Sequence, residues 1–393
     1  MKIGILTFHS QLNYGGVLQC WALKTVLERM GHEVEIVDRW SDEKNTCLRN
    51  EFAWLSWKGW LKLIVRGLLG CGDLAKLLRT IRTIRFVRGL GLTKEHFCEW
   101  SEIKQSNNQT IKQLDLLVVG SDQVWHCGDW SDPRPYLLEN APEIRAITYA
   151  ASFGQKELPS DMIELYKRGL ERFAAISCRE QEGVEICRGL GYEATHVADP
   201  TLLIESKEWG HLLHPTPQPL NPSTPKKLVC YFMSVDVTMA FPLLENFAEK
   251  MGCAVEVLLD GGALKPFPKS VRKAIGNFRG GRVKVCRGYG PKEFVRAFAS
   301  ATWTLTDSFH AVMFSSIFKC NARFVRPANE MRRAMFSRIE EFAEKCVVGD
   351  FFVDDVKQAL QSFECGEMVS YDADRIATLR AESLAWLKGA INA

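Results

Sequence analysis

The amino-acid sequence predicts an α/β protein of two Rossmann-like domains facing a central cleft. At 393 residues it exceeds what one hydrophobic core usually serves, so two domains are the default. Short apolar runs of strand length alternate with helical periodicities in both halves. Between the halves stands HPTPQPLNPSTPKK, whose five prolines cannot sit inside a sheet. The division that follows is a first domain over 1–205, a proline-rich linker over 206–226, a second domain over 227–365 and a terminal helix over 366–393.

Each element follows from local pattern. Ile3 to Phe8 is an apolar run that fits a buried strand. After the polar loop His9 to Gly16, Val17, Leu18, Trp21, Ala22, Val26 and Leu27 recur at helical spacing. Gly31 stops that helix, and Glu33 to Asp38 reads as a second strand. Such a β-α-β unit demands a parallel pair with a right-handed crossover. Residues 45–100 read as a basic helical insert. Leu114 to Val119 and Arg145 to Ala151 are strands, Met162 to Phe173 a helix, and Ala174 to Ser177 a strand. Gln181 to Leu190 is a helix, and Thr195 to Ala198 closes the first half.

The second half repeats the alternation. Leu228 to Met233 is a strand, Val237 to Met251 a helix, and Ala254 to Leu259 a strand. Val283 to Cys286, Thr302 to Thr306 and Arg323 to Arg326 read as strands, with helices over Pro291 to Ser300 and Ser308 to Lys319. Pro291 suits a helix start, where its missing N–H costs nothing. Asp372 to Ile391 is a last helix with Ile376, Leu379, Leu384 and Leu387 on one side.

Composition narrows the function classes. Hydrophobic residues are 46% and charged residues 25%, the mix of a soluble globular protein. A formal charge of +3 is too mild to imply nucleic acid. The 13 cysteines form no C-x-x-C pair and scatter along the chain, which fits reduced, buried thiols of a cytosolic protein. MKIGILTFHS is expected to be a first strand and not a signal peptide, and no transmembrane helix is expected. From Glu51 to Leu90 eight basic residues face two acidic ones, a balance of 8 − 2 = +6, interleaved with Trp54, Trp57 and Trp60. That stretch suits either peripheral contact with an anionic membrane or a pair of amphipathic helices with a solvated basic face.

Open α/β sheets bind ligands outside the carboxyl ends of their strands, so the polar loops after strands are the candidate site. HSQLNYGGVLQ places Asn13, Tyr14 and Gly15 at a helix start, where backbone N–H groups can hold an anion or a sugar hydroxyl. VVGSDQVWH offers a carboxylate, an amide and an indole in Asp122, Gln123 and Trp125, groups that suit sugar recognition or proton transfer. AISCREQEG carries Arg179, which can grip a phosphate or carboxylate, or pair with Glu180 or Glu182. In TDSFHAVMFS either Asp307 or Ser308 can cap a helix, pointing the amides of Ser308, Phe309 and His310 outward. His310 adds a titratable ring. Arg332, Arg333 and Arg338 follow; one can reach the same anion, or they form a solvated basic face.

Taken together and in order, NYGGVLQCWAL, GSDQVW, SCREQEG and TDSFHAVMFS resemble the polysaccharide pyruvyl transferase family and span nearly the whole chain. The resemblance implies a GT-B-like fold. It also implies transfer of pyruvate from phosphoenolpyruvate, as a ketal, onto a sugar of a surface polysaccharide or its polyprenyl-diphosphate-linked precursor, with no metal and no cofactor. On that resemblance Arg179, Ser308, Phe309 and His310 hold the donor, while Asn13, Tyr14, Gly15, Asp122, Gln123 and Trp125 lie toward the acceptor. His310 and Asp122 are the candidate catalytic pair, either one serving as acid and the other as base, and the expected place is the cytoplasm, at the inner face of the plasma membrane if the insert touches lipid. His126, Ala311 and Phe336 stand where family members often carry Asn, Gly and Asn. The rivals are a GT-B-type nucleotide-sugar glycosyltransferase and an inert sugar-binding homologue.

Overall fold

The computed structural model describes residues 1–9, 12–39, 74–97, 109–128, 131–213, 225–259, 281–328 and 330–393. Packing divides the chain into two units. One comprises Met1–Leu63, Ile84–Ile204 and Ala377–Ala393; the other comprises Ile64–Thr83 and Glu205–Ile376.

In the first unit, strands β1 (Lys2–Leu6), β2 (Glu33–Arg39), β3 (Leu92–Phe97), β4 (Leu116–Val119) and β5 (Ala146–Thr148) form one parallel sheet. Their order is β3-β2-β1-β4-β5. Ile3, Ile5, Leu6 and all of β4 are fully buried, as the central strands of a parallel sheet must be. Gly4 permits the close packing, since a Cβ there would come within 2.5 Å of Leu114 Cδ1. Helix α1 (Tyr14–Arg29) joins β1 to β2 and is opened by Asn13, whose Oδ1 accepts from the Gly15 amide at 2.8 Å. Helix α2 (Leu74–Arg88) precedes β3; its residues through Thr83 belong to the second unit. Beyond β5 come α3 (Ile163–Leu170), β6 (Ser177–Cys178), α4 (Gln181–Gly189) and β7 (Thr195–His196); β6 and β7 pair in parallel. Single bridges, Ile147 to Ala175 and Ala151 to Cys178, attach that pair to the sheet edge.

The second unit repeats the design. Helix α5 (Ser206–Leu212) is followed by β8 (Lys227–Phe232), α6 (Val237–Met251), β9 (Ala254–Leu259), β10 (Val283–Val285) and α7 (Pro291–Ala299). Then come β11 (Trp303–Thr306), α8 (Phe309–Ile317), β12 (Asn321–Val325), α9 (Glu330–Cys346), β13 (Val347–Val348), β14 (Phe352–Val353), α10 (Val356–Glu364) and β15 (Ser370–Tyr371). The parallel sheet runs β10-β9-β8-β11-β12-β14, while β13 and β15 form a small antiparallel pair. Asp236 caps α6 through the Thr238 amide, and Gly252 ends it at φ 61°. One core gathers Leu244 and Phe247 of α6 and Phe363 of α10 over Leu228, Val257 and Leu305. Another aromatic group joins Trp209 of α5 to Phe314 of α8 at 4.9 Å and Phe314 to Phe294 of α7 at 5.6 Å.

Three departures from the sequence reading have plain causes. Residues 206–212 are helical and not linker, because the Glu205 and Glu208 carboxylates close a capping box and Trp209 is fully buried; 214–224 lie outside the described residues. The stretch 92–97, assigned to a helical insert, is the edge strand β3, where charged residues are tolerated. In the described part of the basic insert one cation is turned inward and a second, half-exposed, is tied to a carbonyl. Arg79 is fully buried and donates to the Leu259 carbonyl at 2.5 Å, and Arg82 donates to the Gly288 carbonyl at 2.6 Å. Trp54, Trp57, Trp60, Lys58, Lys62 and Arg66 lie outside the described residues. Among the described residues no helix is long and apolar enough to cross a membrane.

The terminal helix α11 (Ala373–Asn392) belongs from Ala377 onward to the first unit. Arg145 donates to the Ala390 and Ile391 carbonyls at 2.8 and 2.9 Å, and the Ala198 amide donates to Ser383 Oγ at 2.8 Å. Ten described cysteines are free thiols. Burial pushes Cys286 and Cys346 up to about 11 and Cys320 up to about 12, so they stay protonated and unreactive at neutral pH.

Trp209→Ala is expected to cost about 3–5 kcal/mol, because it empties a fully buried site. Urea unfolding followed by circular dichroism reads this as an earlier transition of the second unit; an unmoved transition would contradict the docking of α5.

Candidate active site

Each sheet reverses its strand order once, between β1 and β4 in the first unit and between β8 and β11 in the second. Such a reversal leaves a crevice at the strands' carboxyl ends, where loops depart to opposite faces. HSQLNYGG follows β1, GSDQVW follows β4 and TDSFHAVMFS follows β11, so three of the four polar stretches stand at these reversals.

In the first unit the two loops are fastened by Gln19 of α1, which is fully buried. Its Nε2 donates to Thr7 Oγ1 and to the Gly16 carbonyl, both at 2.8 Å, and its Oε1 accepts from the Ser121 amide at 3.2 Å. Thr7 Oγ1 donates to the Ser121 carbonyl at 2.7 Å. His9, also fully buried, sets its ring between the Thr7 carbonyl at 3.2 Å and Asp38 Oδ1 at 3.0 Å. Asp122 adopts φ 75°, a left-handed conformation that aspartate tolerates better than most residues. Its Oδ1 accepts from the Gln123 amide at 2.9 Å. Gly16 is needed beside it, because a Cβ there would lie 3.1 Å from Asp122 Oδ2 and 3.2 Å from the Phe8 carbonyl.

Arg179, at the end of β6, meets the protein's own carboxylates. Its Nη1 donates to Asp199 Oδ2 at 3.1 Å, Nη2 lies 3.6 Å from Asp122 Oδ1, and Nε lies 4.0 Å from Glu180 Oε2. Burial opposes its charge, yet Asp122, Asp199 and Glu180 outweigh that and hold its pKa above the ordinary arginine value. The sequence leaves this guanidinium either a phosphate or carboxylate of a donor or a pairing with Glu180 or Glu182; in the structure Glu180 is one of three protein carboxylates around it, with Asp199 and Asp122.

Trp125 and Tyr14, expected beside the acceptor, are core residues with 0% and 1% exposure. The indole packs on Phe153 at 5.1 Å and donates from Nε1 to the Tyr136 carbonyl at 3.3 Å, so no solute stacks on it without opening the core. Gly15 spends its amide on Asn13. Gln123 is half-buried, and its Nε2 is a buried donor without a hydrogen-bond partner among the described residues.

In the second unit neither Asp307 nor Ser308 caps α8 through its side chain. Asp307 instead accepts from the amides of Met233 and Ser234 at 2.6 and 2.7 Å and from Ser234 Oγ, which ties the loop after β8 to the loop after β11. The Ser308 amide is not directed outward; it donates to Thr306 Oγ1 at 3.0 Å. His310 is the second residue of α8 and is 8% exposed, with its ring edge-on to Phe309 at 5.5 Å. Arg338 of α9 lies over the Phe309 ring at 5.4 Å, which brings a cation to the start of α8. Arg333 donates to the Pro327 carbonyl instead. Beside the reversal, a cavity of about 440 Å³ is lined by Ser234, Met239, Leu243, Val325, Arg326 and Lys357, among others. Among the described residues no group of three or more His, Cys, Asp or Glu side chains is placed to hold a metal ion.

The sequence reading missed Gln19, Asp199 and Ser383. Asp199 left a signal: it precedes Pro200 and Thr201, the pattern of an N-cap followed by proline, and its Oδ1 accepts from the Thr201 amide at 2.9 Å. Gln19 left none, since a glutamine inside a helix ordinarily faces water.

This architecture is shared with known proteins. The chain matches a UDP-GlcNAc 2-epimerase from Methanocaldococcus jannaschii at 14% identity and TM-score 0.53, covering 93% of this chain and 92% of that one. It matches MnaA of S. aureus, solved with UDP, at 11% identity and TM-score 0.50, covering 98% and 91%. At such identities the likeness is one of fold, the GT-B-like class of paired Rossmann-like units. A search of curated proteins finds no match. Residues 13–329 match the model of the polysaccharide pyruvyl transferase family. The chain belongs to that family, and its class of reaction is group transfer in polysaccharide synthesis.

Asp307→Ala is expected to destabilise the second unit by about 3 kcal/mol, because two amides lose their acceptor. Hydrogen exchange checks it: the Met233 and Ser234 amides should exchange at least tenfold faster, on the order of what 1.4 kcal/mol allows. Unchanged protection would mean that the clamp does not form.

Proposed function

We propose that the enzyme transfers the pyruvyl group of phosphoenolpyruvate onto two hydroxyls of one sugar, forming a cyclic ketal and releasing phosphate. The acceptor is a saccharide of a surface polysaccharide or its lipid-linked precursor. The observation that carries this reading is the place of His310. In a chain of this family, the motif's histidine stands in the first turn of the helix leaving the second sheet at its strand-order reversal.

The donor carries about three negative charges, which calls for cationic ends fixed in advance. The second unit supplies the positive end of α8, the His310 ring and the Arg338 guanidinium held over Phe309. His310 then donates to the phosphate and delivers a proton to the methylene carbon, which becomes the methyl group. The carbon bearing the phosphate acquires oxocarbenium character, and the first sugar hydroxyl adds to it. Asp122 takes that hydroxyl's proton. The C–O bond to phosphate breaks with its electron pair on the leaving oxygen, and the second hydroxyl closes the ring. Of the two hydroxyl protons, one replaces the proton given to carbon and the other leaves with phosphate as hydrogen phosphate. Asn13 and Gln123, at the same reversal as Asp122, orient the acceptor.

His310→Ala should abolish phosphate release from phosphoenolpyruvate with a saccharide acceptor, a loss of at least 100-fold, on the order of what one acid–base group contributes, while the fold is kept. Near-normal turnover would refute the role of His310. A wild-type enzyme that adds no pyruvyl group to any lipid-linked saccharide, yet is stabilised by UDP-sugars, would favour the glycosyltransferase reading.

The enzyme also acts at the cytoplasmic membrane face in this reading, with the basic insert as its contact. Support lies in the +6 balance from Glu51 to Leu90, lessened by the buried Arg79 and by Arg82, which is tied to the Gly288 carbonyl. Flotation with anionic and neutral liposomes checks it: recovery with anionic vesicles alone is expected, and recovery with neither leaves only packed helices.

A further inference from the structure

We infer that Arg179 is a positioning residue: it holds the Asp122 carboxylate in place, and the anionic donor does not use it. The inference rests on the reading of Asp122 as the base. Arg179 has a side chain only 1% exposed, while that of Asp122 is 11% exposed, so the carboxylate and not the guanidinium is the member of the pair open to solute.

The three acids around Arg179 come from three places in the chain, and each is fixed on its own. Asp199 accepts from the Thr201 amide and Oγ1 at 2.9 and 2.7 Å. Glu180 Oε1 accepts from the amides of Phe153 and Gly154 at 2.8 and 3.2 Å. Asp122 is held by the Gln123 amide and by Arg179. Three carboxylates and one guanidinium leave a formal charge of −2. A phosphate brought to this cluster would meet repulsion that the low local dielectric does little to screen. A planar fork fixed on one side by Asp199 can present its other edge to Asp122 in a set orientation, which a flexible ammonium cannot do as well.

The support extends to the end of the chain. The Ala198 amide donates to Ser383 Oγ of α11, and the Tyr149 hydroxyl donates to the Ala198 carbonyl at 3.0 Å. Both fix the residue just before Asp199.

The test compares wild type, Arg179→Lys, Arg179→Met and the double variant Arg179→Met/Asp199→Asn. The double variant keeps the formal charge of −2 and removes both partners of the hydrogen-bonded pair, leaving one fewer uncompensated buried acid than the single Met variant. Phosphoenolpyruvate affinity is measured by titration calorimetry, and turnover by phosphate release with a saccharide acceptor. Affinity should stay within about threefold of wild type, under 1 kcal/mol. Turnover should fall about 100-fold in the Met variants, with Lys restoring about tenfold of it. Affinity lost in parallel with turnover would make Arg179 a donor ligand and overturn the inference, and so would undiminished turnover. If wild type binds no phosphoenolpyruvate, the proposed donor fails. The crystal structure of the double variant then decides: an Asp122 carboxylate turned away from its place upholds the inference, and one that has not moved overturns it.

Discussion

Where a parallel sheet reverses its strand order, neighbouring chains leave toward opposite faces and uncover backbone groups that no strand can pair. Such groups cost about 1–3 kcal/mol each when buried without a partner, so something must satisfy them. The two units meet this constraint differently. In the first, the neutral amide of Gln19 serves as donor and acceptor at once, joining Thr7, Gly16 and Ser121. In the second, the Asp307 carboxylate takes two amides and a hydroxyl from the loop after β8. Two candidate site residues stand next to these ties. Asp122 follows directly on Ser121, and His310 stands three residues after Asp307.

The choice of tie shapes the electrostatics. Because Gln19 is neutral, the first reversal takes its charge from the cluster around Arg179, which is negative overall. Asp307 spends its charge on amide donors, so the start of α8 keeps the field of its own dipole, the His310 ring and nearby Arg338. A site rich in acceptors suits neutral hydroxyls, and a site rich in donors suits an anion. This contrast between two units of like topology, more than any single residue, supports giving the sugar to the first and phosphoenolpyruvate to the second.

Much of the fold is legible in the sequence because buried parallel strands and amphipathic helices leave periodic traces. The helix over Val237–Met251 and the strand over Ala254–Leu259 fall where the pattern puts them. Leu92–Phe97 is not legible, since an edge strand can carry Lys94 and still pair with β2. Helix α10 does leave a periodic trace, beyond the elements expected above: Val356, Ala359, Leu360 and Phe363 are buried at i, i+3, i+4 and i+7. The site divides along the same line. Loops after strands mark Asp122 and His310, because the place of a ligand follows from topology. What a loop cannot reveal is which side chains face inward. Trp125 beside Asp122 reads as a sugar platform, and it is core. Arg179 reads as an anion grip, and its acids include Asp199, 20 residues away.

The same blindness governs the basic helix α2. A count of charges along a helix predicts attraction to an anionic surface only if the cations face outward. Arg79 instead closes the carbonyl at the end of β9, and Arg82 reaches the Gly288 carbonyl and lies 3.5 Å from Glu293. Arginine suits such work, because its apolar stem packs in a core while its head takes several acceptors. Composition therefore overstates the membrane field of this helix by the cations it spends internally. Arg85 and Arg88 are exposed on its last turn, and a cation there also favours the helix itself through its dipole. A reading that begins from net charge must first subtract the charges that serve the fold.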